Sequence, residues 1–230
     1  MDSQLNYYYN NVPEKGKCRN NLIYTSLMSD DQKTFVQWYH NDSEYHKGRN
    51  EVVDSSLMEE KFNREVRYLN LMGEHYPNLV PKYEIDKSSR KIYLEIDGAD
   101  LWELAGCTGT DYSNVVPDWK EQMLNIIQAH KSLGLYKYAM HPSSYFVIDG
   151  KLKSINYFFT YHETEPRIQV GDVLSHISLD RRKALLPLMD KLNININESK
   201  SFKDYHMLCF DSFSNNFSSD FIERAKQIYV

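Results

Sequence analysis

Residues 21–97 switch hydrophobic period twice, and that order of periods narrows the fold more than any other property of the chain. "NLIYTSLM" and "TFVQWYH" are β-rich runs on either side of "SDDQK", the pattern of an antiparallel hairpin, and residues 1–40 read as mainly strand. After the polar connector "NDSEYHKGRNEVVDSS", the run "LMEEKFNREVRYLNLMGEHY" sets Leu57, Phe62, Val66, Leu69 and Met72 near helical spacing, with Gly73 as the expected stop. "LVPKYEID" and "KIYLEID" return to strand character across the turn "KSSR". The region reads β-β-α-β-β.

The remainder is richer in helix. "GADLWELAG" suits a short helix. "PDWKEQMLNIIQAHKSLG" reads as a buried amphipathic one, with Pro117 at its start, Trp119, Met123, Ile126, Ile127 and Leu133 as apolar positions, and Gly134 at its end. "SYFVI", "DGK" and "LKSINYFF" predict a second hairpin, because a D-G pair favours a tight turn. "DVLSHISLDRRKALLPLMDKL" and "SSDFIERAKQIYV" predict further helices. With no internal repeat, the natural boundary lies at Ile96–Gly98, between a β-rich lobe 1–97 and a helical lobe 98–230, with a crevice between them. The fold class expected is α+β.

Composition bounds the function classes. A chain of 230 residues with 41% hydrophobic and 26% charged residues buries a sizeable core without disulfides or metals. A net charge of −5 argues against a nucleic-acid partner, whose affinity comes from neutralised phosphates. Cys18, Cys107 and Cys209 lie far apart, outside metal-ligand spacing, and read as reduced thiols. No basic start precedes an apolar run, and no window reaches the roughly 18 apolar residues of a membrane span, so a soluble, cytoplasmic protein off the membrane is expected. The 18 tyrosines, the tracts "NYYYNN" and "NININ" and the small size fit a phage or viral origin, in which case the compartment is the host cytoplasm.

The segment "LYKYAMHPSSYFVIDGKLKSINYFF", residues 135–159, carries a resemblance. The element order over most of residues 18–180 resembles the protein-kinase-like fold, including its branch of aminoglycoside-, choline- and sugar-kinase-like phosphotransferases. That family's catalytic loop, H-x-D-L-H-P-x-N, is followed twelve residues after its Asn by a metal-binding Asp. His141-Pro142 falls on the H-P, Ala139 on the catalytic Asp and Ser144 on the Asn, while Asn156, twelve residues further, falls on the metal-binding Asp. "FNREVRYL" resembles the family's αC helix and puts Glu65 on the carboxylate that pairs a strand lysine, but "TFVQWYH" offers Gln37 or Trp38 in that lysine's place. The phosphate-covering loop keeps only Gly16, with Lys15, Lys17 and Arg19 able to attract an anion. "YLEIDGADLWEL" resembles the inter-lobe hinge, so Gln37, Glu65, Glu95 and Asp97 are the candidate nucleotide-cleft residues. Asp172 in "GDVLSH" matches a residue that braces the catalytic loop, and the interval from Asn156 is too short for a full activation segment.

Phosphoryl transfer needs Mg²⁺ on hard oxygen ligands and a carboxylate that orients the attacking hydroxyl. Ala139 accepts no proton, and Ser144 and Asn156 are neutral, so Mg²⁺ binding is disfavoured and neither a metal site nor a catalytic residue is assigned. The resemblance implies a pseudokinase that acts by binding a protein partner, is not expected to be an enzyme, and has ATP or another nucleotide as a candidate ligand. His141 reads as a brace of its loop ahead of a base. Glu65 either pairs with Lys61 on its own helix or faces the cleft. The aromatic run 157–163 reads as core ahead of a partner patch, and "DRRK" at 180–183 as a solvated helix face. Two alternatives stand beside this reading. One is a divergent phosphotransferase or nucleotidyl transferase recruiting Glu65, Asp97, Asp100 or Asp149; the other is an α+β interaction module with no nucleotide pocket.

Overall fold

The computed structural model describes residues 4–7, 24–40, 55–165, 168–169, 187, 199–200 and 202–230. Strands β1 (Leu5–Tyr7), β2 (Thr25–Ser29) and β3 (Thr34–Trp38) run antiparallel in sequence order. The β2–β3 turn is built by its own polar side chains. Ser29 Oγ donates to Asp31 at 2.6 Å and accepts the amide of Thr34 at 2.9 Å, while Asp31 accepts the amide of Lys33 at 3.1 Å. Such local bonding satisfies turn amides that no neighbouring strand reaches.

Helix α1 (Ser55–His75) follows, and β4 (Tyr83–Asp86) and β5 (Lys91–Glu95) complete a five-stranded antiparallel sheet in the order β1-β2-β3-β5-β4. The β3–β5 register sets Phe35 opposite Leu94 and Gln37 opposite Ile92. Side chains two apart share a sheet face, so Gln37 lies on the same buried face as Phe35, Ile92 and Leu94. Met58, Phe62, Leu69 and Met72 of α1 are buried in the same core cluster. Each fully buried side chain of this size stabilises the fold by roughly 1.5–3 kcal/mol relative to exposure.

The rest of the chain supplies α2 (Leu101–Leu104), capped by Asp100 accepting the Glu103 amide at 3.0 Å, and α3 (Trp119–Ser132). Trp119 anchors α3: its indole N–H donates to Asp111 at 2.8 Å, and its rings meet Tyr112, Phe217 and Phe221. Next come β6 (Leu135–Lys137), the hairpin β7 (Tyr145–Ile148) and β8 (Lys151–Ser154), and β9 (Thr160–His162), which returns to pair with β6. Asp149 and Gly150 both hold positive φ, 51° and 70°, as the tight D-G turn of that hairpin requires. β10 (Ile168–Gln169) pairs with β11 (Ser199–Lys200), and α4 (Phe202–Asp211) and α5 (Ser219–Gln227) complete the described elements. The class is α+β, and among the described residues no helix is long and apolar enough to cross a membrane.

Three boundaries differ from the sequence reading. Helix α1 runs through Gly73 to His75, because the missing Cβ at Gly73 admits the Tyr83 ring, whose hydroxyl would stand 2.7 Å from a Cβ built there. Helix α3 starts at Trp119 with Asp118 as its N-cap, two residues after Pro117. Strand β8 stops at Ser154, because Asn156 adopts φ 68° and turns "YFF" out of the hairpin. Gly16 with its basic neighbours, Cys18, Asp172, the helix expected over 172–192 and the 180–183 basic run lie outside the described residues, apart from the lone Pro187.

Candidate functional site

Four neutral side chains from two separate hairpins, β2–β3 and β7–β8, converge beneath the sheet. Asn156 lies just past β8, and its side-chain oxygen accepts from the Tyr24 hydroxyl at 2.6 Å and from Gln37 Nε2 at 2.9 Å. Its amide nitrogen donates to Ser144 Oγ at 2.9 Å. The positive φ at Asn156, a conformation that Asn tolerates better than most residues, aims the amide inward, and Gln37 reaches it from the buried face of β3. All four residues are buried, at 0–4% exposure. The centre holds no formal charge and spans the sequence from residue 24 to residue 156.

Glu65 occupies the next position inward on α1 and is fully buried. Its Oε2 accepts the Phe158 amide at 2.7 Å and the Tyr39 hydroxyl at 3.3 Å. Burial pushes its carboxyl up to about 7, while the Lys137 charge, the amides of Phe158 and Tyr157 and the Tyr39 hydroxyl pull the other way. The suggested Glu65–Lys61 pair does not form as the helix partner. Lys61 instead meets Glu60 at 2.8 Å and lies 4.5 Å from the Phe159 ring centre. Lys137, buried on β6, donates to the Ala139 carbonyl and stands 5.3 and 5.5 Å from the Tyr145 and Tyr157 rings.

Helix α1 holds the segment after Asn156 through a second set of contacts. Arg64 donates to the Thr160 carbonyl at 2.9 Å and to Glu165 at 3.0 Å, and its guanidinium lies 4.2 Å from the Tyr161 ring centre. Tyr68 also donates to Glu165, which accepts the His162 amide at 2.8 Å. Tyr157, Phe158, Phe159 and Tyr161 are buried, so the aromatic run is core at these positions.

The remaining candidates separate. Ala139 is half-buried and contributes its carbonyl. His141 is held by Ser143 at 2.8 Å, lies 3.4 Å from the Asn216 amide and packs edge-on against Trp102, contacts that brace its loop. At the expected hinge Glu95 and Asp97 are exposed, and the amides of Ile96 and Gly98 donate to the carbonyls of Lys33 and Gln32 at 2.9 and 3.1 Å. Asp100 is spent as the α2 cap, and Asp149 is exposed on its turn. Among the described residues no group of three or more His, Cys, Asp or Glu is placed to hold a metal ion.

Sequence reasoning missed two members of this region. Tyr24 sits inside "NLIYTSLM", where a tyrosine is an ordinary strand residue, and Lys137 sits inside "LYKY", where alternation suggests a solvent-facing lysine. The partners that draw each toward the site, Asn156 for Tyr24 and Glu65 for Lys137, lie more than 70 positions away, and no local pattern carries them. Compared with known proteins, the chain matches no family model and no curated sequence.

Proposed function

We propose that the chain is a catalytically degenerate kinase-like protein, a pseudokinase, that acts by binding a protein partner. The observation that carries this reading is the neutral centre itself: Gln37, one of the two residues matched to the family's lysine, meets Ser144 and Asn156, matched to its two metal ligands, and Asn156 bonds to both. That convergence is what the family's chain path would produce. The five-stranded antiparallel sheet, with α1 in its core and Glu65 turned inward, supports the same two-lobed architecture.

The chemistry argues against transfer. Lone pairs of the Asn156 oxygen that would face Mg²⁺ are already engaged by Tyr24 and Gln37, and its neutral amide supplies no charge to offset a triphosphate. Ala139 has no group to accept the proton of an attacking hydroxyl. Gln37 provides hydrogen bonds but not the fixed cation that steadies phosphates. With transfer chemistry absent from these positions, recognition of another protein is the output that remains.

The test is the melting temperature of the purified chain with and without ATP, in Mg²⁺, in Mn²⁺ and in EDTA, since a ligand bound only by the native state raises it. The expected result is no metal-dependent rise. A rise that needs Mg²⁺ or Mn²⁺ would overturn the reading in favour of a divergent phosphotransferase.

A further inference from the structure

We propose that the free edge of β4 is the docking site for a protein partner, which adds a short antiparallel strand of alternating apolar and basic residues. β4 ends the five-stranded sheet, and among the described residues no strand lies beyond it. The Glu95 amide donates to the Lys82 carbonyl at 2.8 Å, which fixes the phase of the β4–β5 ladder. In that phase Glu84 and Asp86 exchange bonds with Tyr93 and Lys91, while the N–H and C=O groups of Tyr83 and Ile85 point away from β5. Pro81, next in the same phase, has no N–H to offer, and the amides of Ser88 and Ser89 are taken by Asp86 at 2.9 and 3.2 Å. The open edge is therefore short and centred on Tyr83 to Ile85. It is also held against α1, since the Tyr83 hydroxyl donates to Asn70 at 2.9 Å.

The two sides of β4 set the chemistry of the added strand. Tyr83 and Ile85 pack against the core yet stay half-buried, so apolar side chains placed beside them extend an existing apolar row. Glu84 and Asp86 alternate with them and form an acidic row on the opposite side. Glu84 is exposed and faces Tyr93 rather than a cation. The neighbouring lysines are engaged elsewhere, Lys82 with Glu95 at 3.4 Å and Lys91 at 4.8 Å from the Trp38 ring centre. Bonds from Ser88 and Ser89 hold the Asp86 carboxyl well below the usual carboxylate range. A partner strand with basic residues at every second position complements this row while its backbone completes the ladder. A second copy of the chain does not. Pairing Tyr83 with Ile85 of the copy sets Glu84 against Glu84, pairing Ile85 with Ile85 sets Glu84 against Asp86, and pairing Tyr83 with Tyr83 sets Ile85 against Pro81, which has no N–H. The role of the edge rests on the partner-binding reading above, while its geometry stands without it.

The experiment follows the backbone amides of the full chain by NMR during titration with three capped pentapeptides: VKVKV, its acidic counterpart VEVEV, and VKVKV N-methylated at the central valine. VKVKV should shift the Tyr83 and Ile85 amides and slow their hydrogen exchange, whereas the Glu84 and Asp86 amides, bonded to β5, should be protected with or without peptide. N-methylation removes a donor to the edge and should abolish the response. Glu84→Lys, a change at an exposed position, should weaken VKVKV by about fivefold and strengthen VEVEV by a similar factor. Unresponsive Tyr83 and Ile85 amides, equal binding of VEVEV and VKVKV to the parent, or unimpaired binding of the N-methylated peptide would overturn the proposal. Protection of Tyr83 and Ile85 without peptide, growing with protein concentration, would overturn it in favour of a second copy. The two proposals fail separately: a metal-dependent shift of the melting temperature with ATP removes the pseudokinase reading, and failure of the peptide titration removes the β4 docking edge.

Discussion

Replacing Glu65 by Gln should flatten one component of the pH dependence of stability, and the sign follows from where the proton sits. The carboxyl ordinarily titrates near 4.5, but in the folded chain burial raises it to about 7. Between those values the folded state holds a proton that the unfolded state has released, so raising the pH favours unfolding. The stability associated with this group is fully present below about pH 4.5 and is lost as pH rises through 7. At about 1.36 kcal/mol per tenfold change in proton affinity, the loss levels off near 3 kcal/mol above pH 8. Glu65→Gln keeps an acceptor for the Phe158 amide and the Tyr39 hydroxyl, carries no charge at any pH, and removes this loss.

The assay is urea unfolding of parent and variant at pH 5, 6, 7 and 8, read as the difference in stability at each pH. The difference matters because His130, fully buried and held well below its ordinary value by burial, works in the opposite direction. Its contribution is present above about 6.5 and lost as the pH falls, but both proteins share it and it cancels. Because part of the loss is already complete at pH 5, the variant should gain on the parent by roughly 2–3 kcal/mol between pH 5 and pH 8. A difference that is flat over that range, or a parent that gains on the variant, would refute a buried carboxyl that holds its proton.

Two further substitutions probe the surroundings of the site. Arg64→Ala removes the donors to Thr160 and Glu165 and should cost about 2 kcal/mol, between an exposed pair and a fully buried one, with faster hydrogen exchange over residues 158–165. Arg64→Lys should recover only part of this, since one ammonium does not reproduce the guanidinium fork, and full recovery would show that charge alone matters. Gly73→Ala should lower the melting temperature of the parent, because its Cβ meets the Tyr83 hydroxyl at 2.7 Å, yet raise it in a Tyr83→Ala background, where about 0.5–1 kcal/mol of helix propensity is all that remains. Melts of the four proteins decide it, and a loss in both backgrounds would place the strain elsewhere.

Local periodicity carried the elements, because Phe62, Leu69 and Met72 face one core and the alternation along β3 and β5 faces the same one. It failed where a single tertiary contact outweighed a local preference. Gly73 looks like a helix end until Tyr83 occupies the space beside it, and "INYFF" looks like strand until Asn156 takes a left-handed turn to reach Tyr24, Gln37 and Ser144. At the site, the resemblance set Ser144 and Asn156 in register, twelve residues apart, and that pair does bond. Of the partners of the pair, Gln37 was named through the resemblance, while Tyr24 was missed because its bond to Asn156 joins two hairpins 132 positions apart, which no short-range signal encodes.

Glu65, a buried carboxyl beside a neutral centre, has a physical explanation. A buried charge is tolerated only with compensation, so acidic side chains at 144 and 156 with no cation at 37 would leave anions stranded in the core. Neutral Gln37, Ser144 and Asn156 avoid that cost together, because each supplies the donor or acceptor its neighbour needs. Glu65 differs because its Oε2 is bound by the Phe158 amide, a backbone group that needs an acceptor. Lys137 on β6 offsets part of its charge, while burial keeps the carboxyl raised to about 7. Helix α1 therefore holds the segment after Asn156 through backbone groups, with Glu65 on the Phe158 amide and Arg64 on the Thr160 carbonyl.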